Sequence, residues 1–270
     1  MTSRYLRVCL LLLAMLGCTS ALAHEFWMLP DRFSAPAGSP VRLSLSVGEN
    51  FSGEPVAFSA PLVAGFQHFS AGGKTDLRRH LPAAASPHLS IALTGAGTHL
   101  LALDTHPSEI VLEPGKFHAY LHEEGLDAVI AARGAAGAAS TPGRERYRRH
   151  IKTLVQAGAS SDGTALLRTG QQLEIVPLSD PLRHRAGADI GFQVLFEGRP
   201  LPGALVKFWH RRGAQTLIVR TRSDAQGKVA VAPPWSGTWM ASVVHMVPAA
   251  DSPAHDWDSH WGNLTFSLRP

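Results

Sequence analysis

Residues 41–47 have the sequence VRLSLSV, in which apolar and polar side chains alternate without a break. In an extended chain successive side chains point to opposite faces, so this alternation is typical of a strand with one face buried. Turn-forming residues flank it, with PAGSP at 36–40 and GEN at 48–50. The stretch therefore predicts a β-fold in which one face of the sheet covers a core.

The same pattern recurs along most of the chain. Residues 88–93 and 98–103 predict two strands joined by a hairpin at GAG 95–97. From residue 171 to the C-terminus, short strands alternate with Gly- and Pro-containing turns, which is typical of a β-sandwich. We therefore predict a mainly β protein with two β-sandwich-like domains, at 24–170 and 171–270.

One segment departs from the strand pattern. Apolar residues within 116–133 recur at spacings close to 3.6, which predicts a helix. The pattern of 144–155 fits a short helix or a strand that pairs elsewhere, and it does not decide between them. We predict a helical insertion at about 114–157 in the first domain.

The N-terminus has the pattern of a secretory signal peptide. Arg4 and Arg7 precede an apolar run at 8–16, and ALA at 21–23 is a suitable cleavage site. We therefore expect residues 1–23 to be removed and the mature protein to be periplasmic. The alternative is a lipoprotein, because MLGC at 15–18 is a poor version of a lipid-attachment box that would modify Cys18.

The composition excludes several classes of protein. Hydrophobic residues make up 45% and charged residues 17% of the chain, which favours a packed core. The formal charge of +4 comes from scattered basic residues and does not indicate a nucleic-acid partner. Both cysteines, Cys9 and Cys18, lie in the predicted leader, so the mature part has neither a disulfide nor a thiolate metal site.

Residues 193–246 resemble a prealbumin-like or Cna-B-type repeat. The resemblance is carried by GRPLPGALV at 198–206, RSDAQGKV at 222–229 and GTW at 237–239. Ser223 stands where this repeat usually has Thr. The resemblance implies that the sandwiches are of the immunoglobulin/prealbumin-like type.

The mature chain as a whole resembles an uncharacterised bacterial periplasmic family labelled as nickel-uptake or cobalt-transport associated. The matching segments are AHEFW at 23–27, KFHAYLHEEGL at 116–126, GRERY at 143–147 with Lys152, VHM at 244–246, DWDS at 256–259 and LTF at 264–266. The resemblance implies a β-fold and a role in metal uptake together with an inner-membrane transporter.

Cleavage after Ala23 would give His24 a free amine as well as an imidazole. Nitrogen-rich planar sites suit Cu(II) or Ni(II). His245, at the end of a predicted strand, is a second candidate ligand. The family resemblance implies that His24, His245 and Asp256 are ligands. The loop that follows adds Asp251, His255, Asp258 and His260, although a histidine at 260 is unexpected for the family. We predict a metal site formed by His24, His245, Asp256, Asp258 and His255, and no catalytic residue.

Other chemistry finds little support. His118 and His122 have the spacing of helical zinc proteases, but Ala119 replaces the glutamate of that motif, so we interpret them as surface histidines. The sequence contains neither a nucleophile elbow nor a phosphate-binding Gly loop.

The leading hypothesis is a periplasmic protein that binds nickel, cobalt or copper and assists its uptake, with affinity that depends on the terminal amine and falls with acidity. The alternatives are a protein- or glycan-interaction module without metal, and a copper-brace oxidoreductase. The lack of cysteines in the mature part disfavours the oxidoreductase, so we do not assign the protein as an enzyme.

Overall fold

The computed structural model describes residues 24–250 and 253–270. The predicted signal peptide and Asp251 lie outside the described residues. The described chain is mainly β with two α-helices, which confirms the predicted fold class. No helix among the described residues is long and apolar enough to cross a bilayer.

The secondary-structure elements, in chain order, are β1 (Glu25–Pro30), β2 (Ser34–Ala35), β3 (Pro40–Glu49), β4 (Ser52–Val56), β5 (Val63–Ser70), β6 (Gly73–Asp76), β7 (His88–Ala92), β8 (Gly97–Thr105), β9 (Ser108–Leu112), α1 (Pro114–Glu123), α2 (Asp127–Ala135), β10 (Gly143–Ala157), β11 (Leu173–Pro177), β12 (Ile190–Phe196), β13 (Arg199–Pro200), β14 (Leu205–Arg212), β15 (Gln215–Arg222), β16 (Lys228–Val231), β17 (Gly237–Pro248) and β18 (Trp257–Leu268).

One large sheet forms the middle layer, with the strand order β15-β14-β17-β18-β10-β8-β5-β6. Within the same sheet, β2 and β9 also pair with β10. Two smaller sheets contain the other strands, one of β1, β3, β4 and β7 and one of β11, β12, β13 and β16. β10 pairs with β18 in parallel and with β8 antiparallel. The large sheet therefore continues across the predicted boundary near residue 171, and that boundary stays a prediction.

Each face of the large sheet covers its own core. Leu43 and Leu45 of β3 pack against Leu101 and Ile151 of the large sheet. On the other face, apolar residues of β11, β12 and β16 pack against β14, β17 and β18. Helices α1 and α2 lie on the same face as β3 and pack against residues of β17 and β18. The alternation in VRLSLSV thus marks the strand whose apolar face, Val41, Leu43 and Leu45, is fully buried.

The helical part is shorter than the predicted insertion at about 114–157. It ends at Ala135, and residues Gly143–Ala157 form the 15-residue strand β10. Because β10 lies in the middle layer, its second half is buried on both faces, so its side chains do not alternate between apolar and polar. The sequence pattern of this strand therefore could not be distinguished from that of a buried helix.

Candidate functional site: a histidine row and an acidic cavity

Strands β17 and β18 carry polar groups on both faces of the large sheet. On β17, Ser242 faces β1, because its hydroxyl donates to Glu25 Oε1 over 2.8 Å. His245 is three residues further along the strand and therefore faces the opposite side. There its ring lies 4.5 Å from that of Phe196 in β12. The two faces form two separate polar sites.

The first site is a row of three histidines on neighbouring strands, His150 of β10, His260 of β18 and His245 of β17, which we call the histidine row. The His150 Nε2 and His260 Nδ1 atoms are 3.1 Å apart. Their rings are stacked with centroids 5.4 Å apart. His245 is the cross-strand partner of His260. The fold thus places three imidazoles from distant parts of the sequence side by side.

A carboxylate fixes the orientation of the first imidazole. His150 Nδ1 lies 2.7 Å from Asp104 Oδ1, and Gln171 Nε2 donates to the same oxygen over 3.0 Å. Because an ionised carboxylate only accepts hydrogen bonds, Nδ1 of His150 carries the proton. Its Nε2 therefore carries the lone pair and accepts a hydrogen bond from His260 Nδ1.

Burial keeps the other two imidazoles neutral. It lowers the pKa of His260 to about 3, and His150 and Arg148 nearby act in the same direction. Burial also lowers the pKa of His245. The ring of Phe196 closes over both histidines, at 4.5 Å from His245 and 5.1 Å from His260. At neutral pH both rings are therefore in the form that can ligate a metal.

The two predicted aspartate ligands are engaged by arginines of β10. Arg144 donates to both carboxylate oxygens of Asp256, over 2.6 and 3.1 Å. Arg146 makes the same paired contact with Asp258, over 2.6 and 2.8 Å. These arginines lower the pKa of each aspartate. Bidentate pairs of this kind are strong, so a metal would have to displace an arginine from either carboxylate.

The structure does not bring the remaining predicted ligands to the row. His24 precedes β1, on the Ser242 face of the sheet, and its Nε2 lies 3.4 Å from Glu49 Oε1. His255 Nε2 lies 3.2 Å from Glu109 Oε1. Of the five predicted ligands, only His245 lies in the row, and only Asp258 approaches it closely enough to act on the pKa of His260.

The side chains of the described residues do not form a complete metal centre. Within residues 24–250 and 253–270, no group of three or more His, Cys, Asp or Glu side chains is arranged to hold a metal ion. In the histidine row, His150 and His260 form a close pair with His245 beside it. The sequence alone indicates no role for His150, because its spacing from the other histidines is uninformative. Only the parallel pairing of β10 with β18 brings it to His260.

The second site lies on the other face, beneath α1. Lys207 of β14 is fully buried, and its Nζ lies 2.7 Å from Glu124 Oε1 and 3.5 Å from Glu25 Oε1. It also lies 5.2 Å from the centre of the Trp209 ring. Trp209 Nε1 in turn donates to Ser242 Oγ over 2.9 Å. Lys207, Glu124, Glu25 and Trp209 line a cavity of about 250 Å³, which we call the acidic cavity.

A further buried carboxyl lies nearby on the same face. Glu145 Oε1 accepts hydrogen bonds from Tyr120 Oη, over 3.2 Å, and from the Ser259 hydroxyl. Burial raises the pKa of Glu145. Tyr120 stacks on Trp261 with ring centroids 5.7 Å apart. Tyr120 also lines the acidic cavity, so it joins the two carboxyl groups into one polar region.

The signal for this second site was present in the sequence. Glu25, Glu124 and Glu145 all lie in segments that carried the family resemblance, HEFW, EEGL and RERY. The predicted metal site rests on histidines and aspartates, so it gives these three glutamates no role. Single exposed glutamates carry little information, and only the fold shows that these three are buried.

Comparison with known proteins places the chain in a family of unknown function. Residues 21–247 match the family model described as "Domain of unknown function (DUF4198)". The match covers most of the chain, which therefore belongs to this family. A search of curated proteins finds no match.

Solved structures give only distant likenesses. A tetra-tandem repeat from the extending region of a large adhesion protein has 7% identity and a TM-score of 0.23, covering 91% of this chain and 49% of that one. Trypsin-activated alpha-2-macroglobulin from Escherichia coli has 9% identity and a TM-score of 0.20, covering 90% and 15%. The Yersinia pseudotuberculosis adhesin InvE has 14% identity and a TM-score of 0.20, covering 92% and 59%. The chain thus spans less than two thirds of each of these structures, and such likenesses transfer neither substrate nor partner.

Proposed function

We propose that this protein is a periplasmic binding protein for nickel, cobalt or copper that assists uptake of the metal by an inner-membrane transporter. In this proposal His150 and His260 supply the first two ligands and His245 the third. The observation that carries it is the 3.1 Å separation of His150 Nε2 and His260 Nδ1 beside a third imidazole, that of His245.

The distance between the two nitrogens suits a shared ion. Two imidazole nitrogens bound to one metal at about 2.0–2.1 Å, with an angle between square and tetrahedral, lie about 2.9–3.4 Å apart. The pair in the row falls in this range. In many metal sites a carboxylate binds one ring nitrogen of a histidine and the metal binds the other. Asp104 binds Nδ1 of His150 in the same way, which leaves Nε2 for the metal. Binding through Nδ1 of His260 would require the proton that it shares with His150 to move to Nε2, the other ring nitrogen of His260.

His245 gives the row access to solvent. It is half-buried and lines a surface cavity of about 300 Å³ next to α2. An ion that enters there meets His245 before it reaches the buried pair. A small rotation of the His245 ring toward its cross-strand partner His260 would complete a three-nitrogen set, with the remaining positions left to water.

Calorimetric titration of the mature protein with Ni²⁺, Co²⁺ and Cu²⁺ tests the proposal. We expect His150→Gln and His260→Gln each to weaken binding at least about ten-fold, in the range found when a supporting group of a metal site is lost. The matched control is His118→Gln, because His118 and His122 form an exposed histidine pair on α1 with rings 4.6 Å apart.

Equal binding by wild type and His260→Gln would contradict the assignment of the row. Loss of binding in His118→Gln alone would move the site to α1. Loss of binding only when a residue is added before His24 would assign the metal site to the terminal amine. The metal role would then stand, with different ligands.

The alternative function, a protein- or glycan-interaction module, has one observation in its favour. Trp235 is 40% exposed and borders an open cavity of about 690 Å³ together with Arg211 and Arg212. An exposed indole beside polar groups is a surface on which sugars stack. Glycan binding that is lost in Trp235→Ala but kept in His260→Gln would favour this alternative.

A further inference from the structure

The acidic cavity carries more negative charge than the protein neutralises. Its walls include Glu25 of β1, Glu49 of β3, and Glu123 and Glu124 at the end of α1, against a single ammonium, that of Lys207. Lys207 is already bound by Glu124 and Glu25. Glu49 Oε1 lies 3.4 Å from His24 Nε2. The charge that remains favours a cationic ligand.

One carboxylate oxygen in the wall lacks a donor. Glu124 is 4% exposed, and its Oε2 has no hydrogen-bond partner while Oε1 accepts from Lys207. A buried polar atom left in this state costs free energy, so a native site usually supplies a partner. Burial raises the pKa of Glu124 to about 7, and the Lys207 ammonium opposes that shift. An N–H donor in the cavity would satisfy this oxygen.

The cavity already shows how it holds one ammonium group. Lys207 Nζ lies between two carboxylates and 5.2 Å from the Trp209 ring centre. Carboxylates combined with an aromatic face form a recognition set for alkylammonium groups. Tyr120 and Trp209 supply aromatic surface in the lining, and Ala119 adds an apolar contact.

We propose that the acidic cavity binds a small organic cation with primary ammonium groups, an aliphatic diamine being the best fit. The carboxylates lie on separate walls, Glu49 on one sheet and Glu123 with Glu124 on α1, and not around one point. This spacing suits two ammonium groups joined by a methylene chain better than a single metal ion. The site is on the opposite face of the large sheet from the histidine row, so it is independent of the proposed metal function.

Calorimetric titration of the mature protein with putrescine and cadaverine tests this proposal, with butanediol as an uncharged analogue. The test variant is Glu49→Gln with Glu123→Gln, since both side chains are exposed and line the cavity. The matched control is Glu54→Gln with Glu113→Gln, which removes the same charge from exposed positions outside the cavity lining. Urea unfolding of each variant checks that the fold is unchanged.

We expect saturable binding of a diamine, no binding of butanediol, and at least a ten-fold weaker diamine affinity in the test variant with no change in the control. Absence of diamine binding by the folded wild type would overturn the proposal. An equal loss in both double variants would also overturn it, because it would show a non-specific charge effect. Binding of Ni²⁺ that depends on Glu49 and Glu123, without diamine binding, would make the cavity a metal site instead.

Discussion

At the scale of single residues, the buried ion pair between Lys152 and Glu174 gives a direct test of the fold. Lys152 is 1% exposed, its Nζ lies 2.8 Å from Glu174 Oε1, and Glu174 also accepts from the Thr169 backbone amide over 2.6 Å. Replacing Lys152 by Met would leave a buried carboxylate without its cation. We expect the free energy of unfolding to fall by about 3–5 kcal/mol, measured by urea denaturation.

Two further variants separate this effect from a general loss of charge. Arg32→Met removes the partner of Asp31 in an exposed pair with a 3.0 Å contact, and should change stability by at most about 1 kcal/mol. The double variant Lys152→Met with Glu174→Leu should recover much of the loss, because no buried charge is then left unpaired. A small effect of Lys152→Met alone would mean that water reaches Glu174.

Residue chemistry also shows what a single sequence can predict of the site. His245 was identified as a strand-end ligand, and it does lie at a polar row on the sheet. Asp256 is a predicted ligand from the family resemblance and Asp258 from a loop rich in aspartate and histidine, and both form ion pairs with arginines of β10. These pairs join residues 112 positions apart, and spacing within one segment says nothing about such partners.

At the scale of secondary-structure elements, the start of β10 depends on a glycine beneath α1. A Cβ added at Gly143 would overlap the ring of Phe117, which is fully buried in the core under the helices. Overpacking of this kind usually costs about 1–3 kcal/mol. We therefore expect Gly143→Ala to lower the free energy of unfolding by about that amount, by urea denaturation.

A second glycine in the same region is the control. Gly134 lies inside α2 with open space around the position of an added Cβ. Ala has the higher helix propensity, so Gly134→Ala should stabilise the protein by about 0.5–1 kcal/mol. Similar effects of the two substitutions would contradict the contact between the start of β10 and α1.

Element types were easier to predict than their partners. Alternation predicts β3, and spacings near 3.6 predict one helix within 116–133, which the structure divides into α1 and α2; each of these elements has one exposed face. β10 was ambiguous because neighbouring layers cover both of its faces. The parallel pairing of β10 with β18 carries the histidine row, and it depends on contacts between distant segments that local patterns do not encode.

At the scale of the whole molecule, buried histidines should control how stability depends on pH. Burial lowers the pKa of His68 to about 4 and that of His260 to about 3, and it also lowers those of His99 and His245. In the unfolded chain histidine has a pKa of about 6.5. Below that pH the unfolded chain binds more protons than the folded protein, so the free energy of unfolding falls as the pH falls.

Two buried acids act in the opposite sense, because burial raises the pKa of Glu145 as well as that of Glu124. Burial raises the pKa of Glu124 to about 7, so its contribution is largest at low pH and is lost as the pH rises through that value. Four histidines oppose these two carboxyls, and we therefore expect a net loss of stability between about pH 6.5 and pH 4. The measurement is the urea midpoint across this range.

His68→Gln, which keeps a polar partner for His99 at the 2.7 Å contact, should make the decline of the urea midpoint less steep. His118→Gln, at an exposed position, should leave it unchanged. A wild-type urea midpoint that rises as the pH falls would contradict this prediction. It would mean that the buried carboxyls contribute more to the pH dependence than the histidines do, and that the imidazoles are exposed to water.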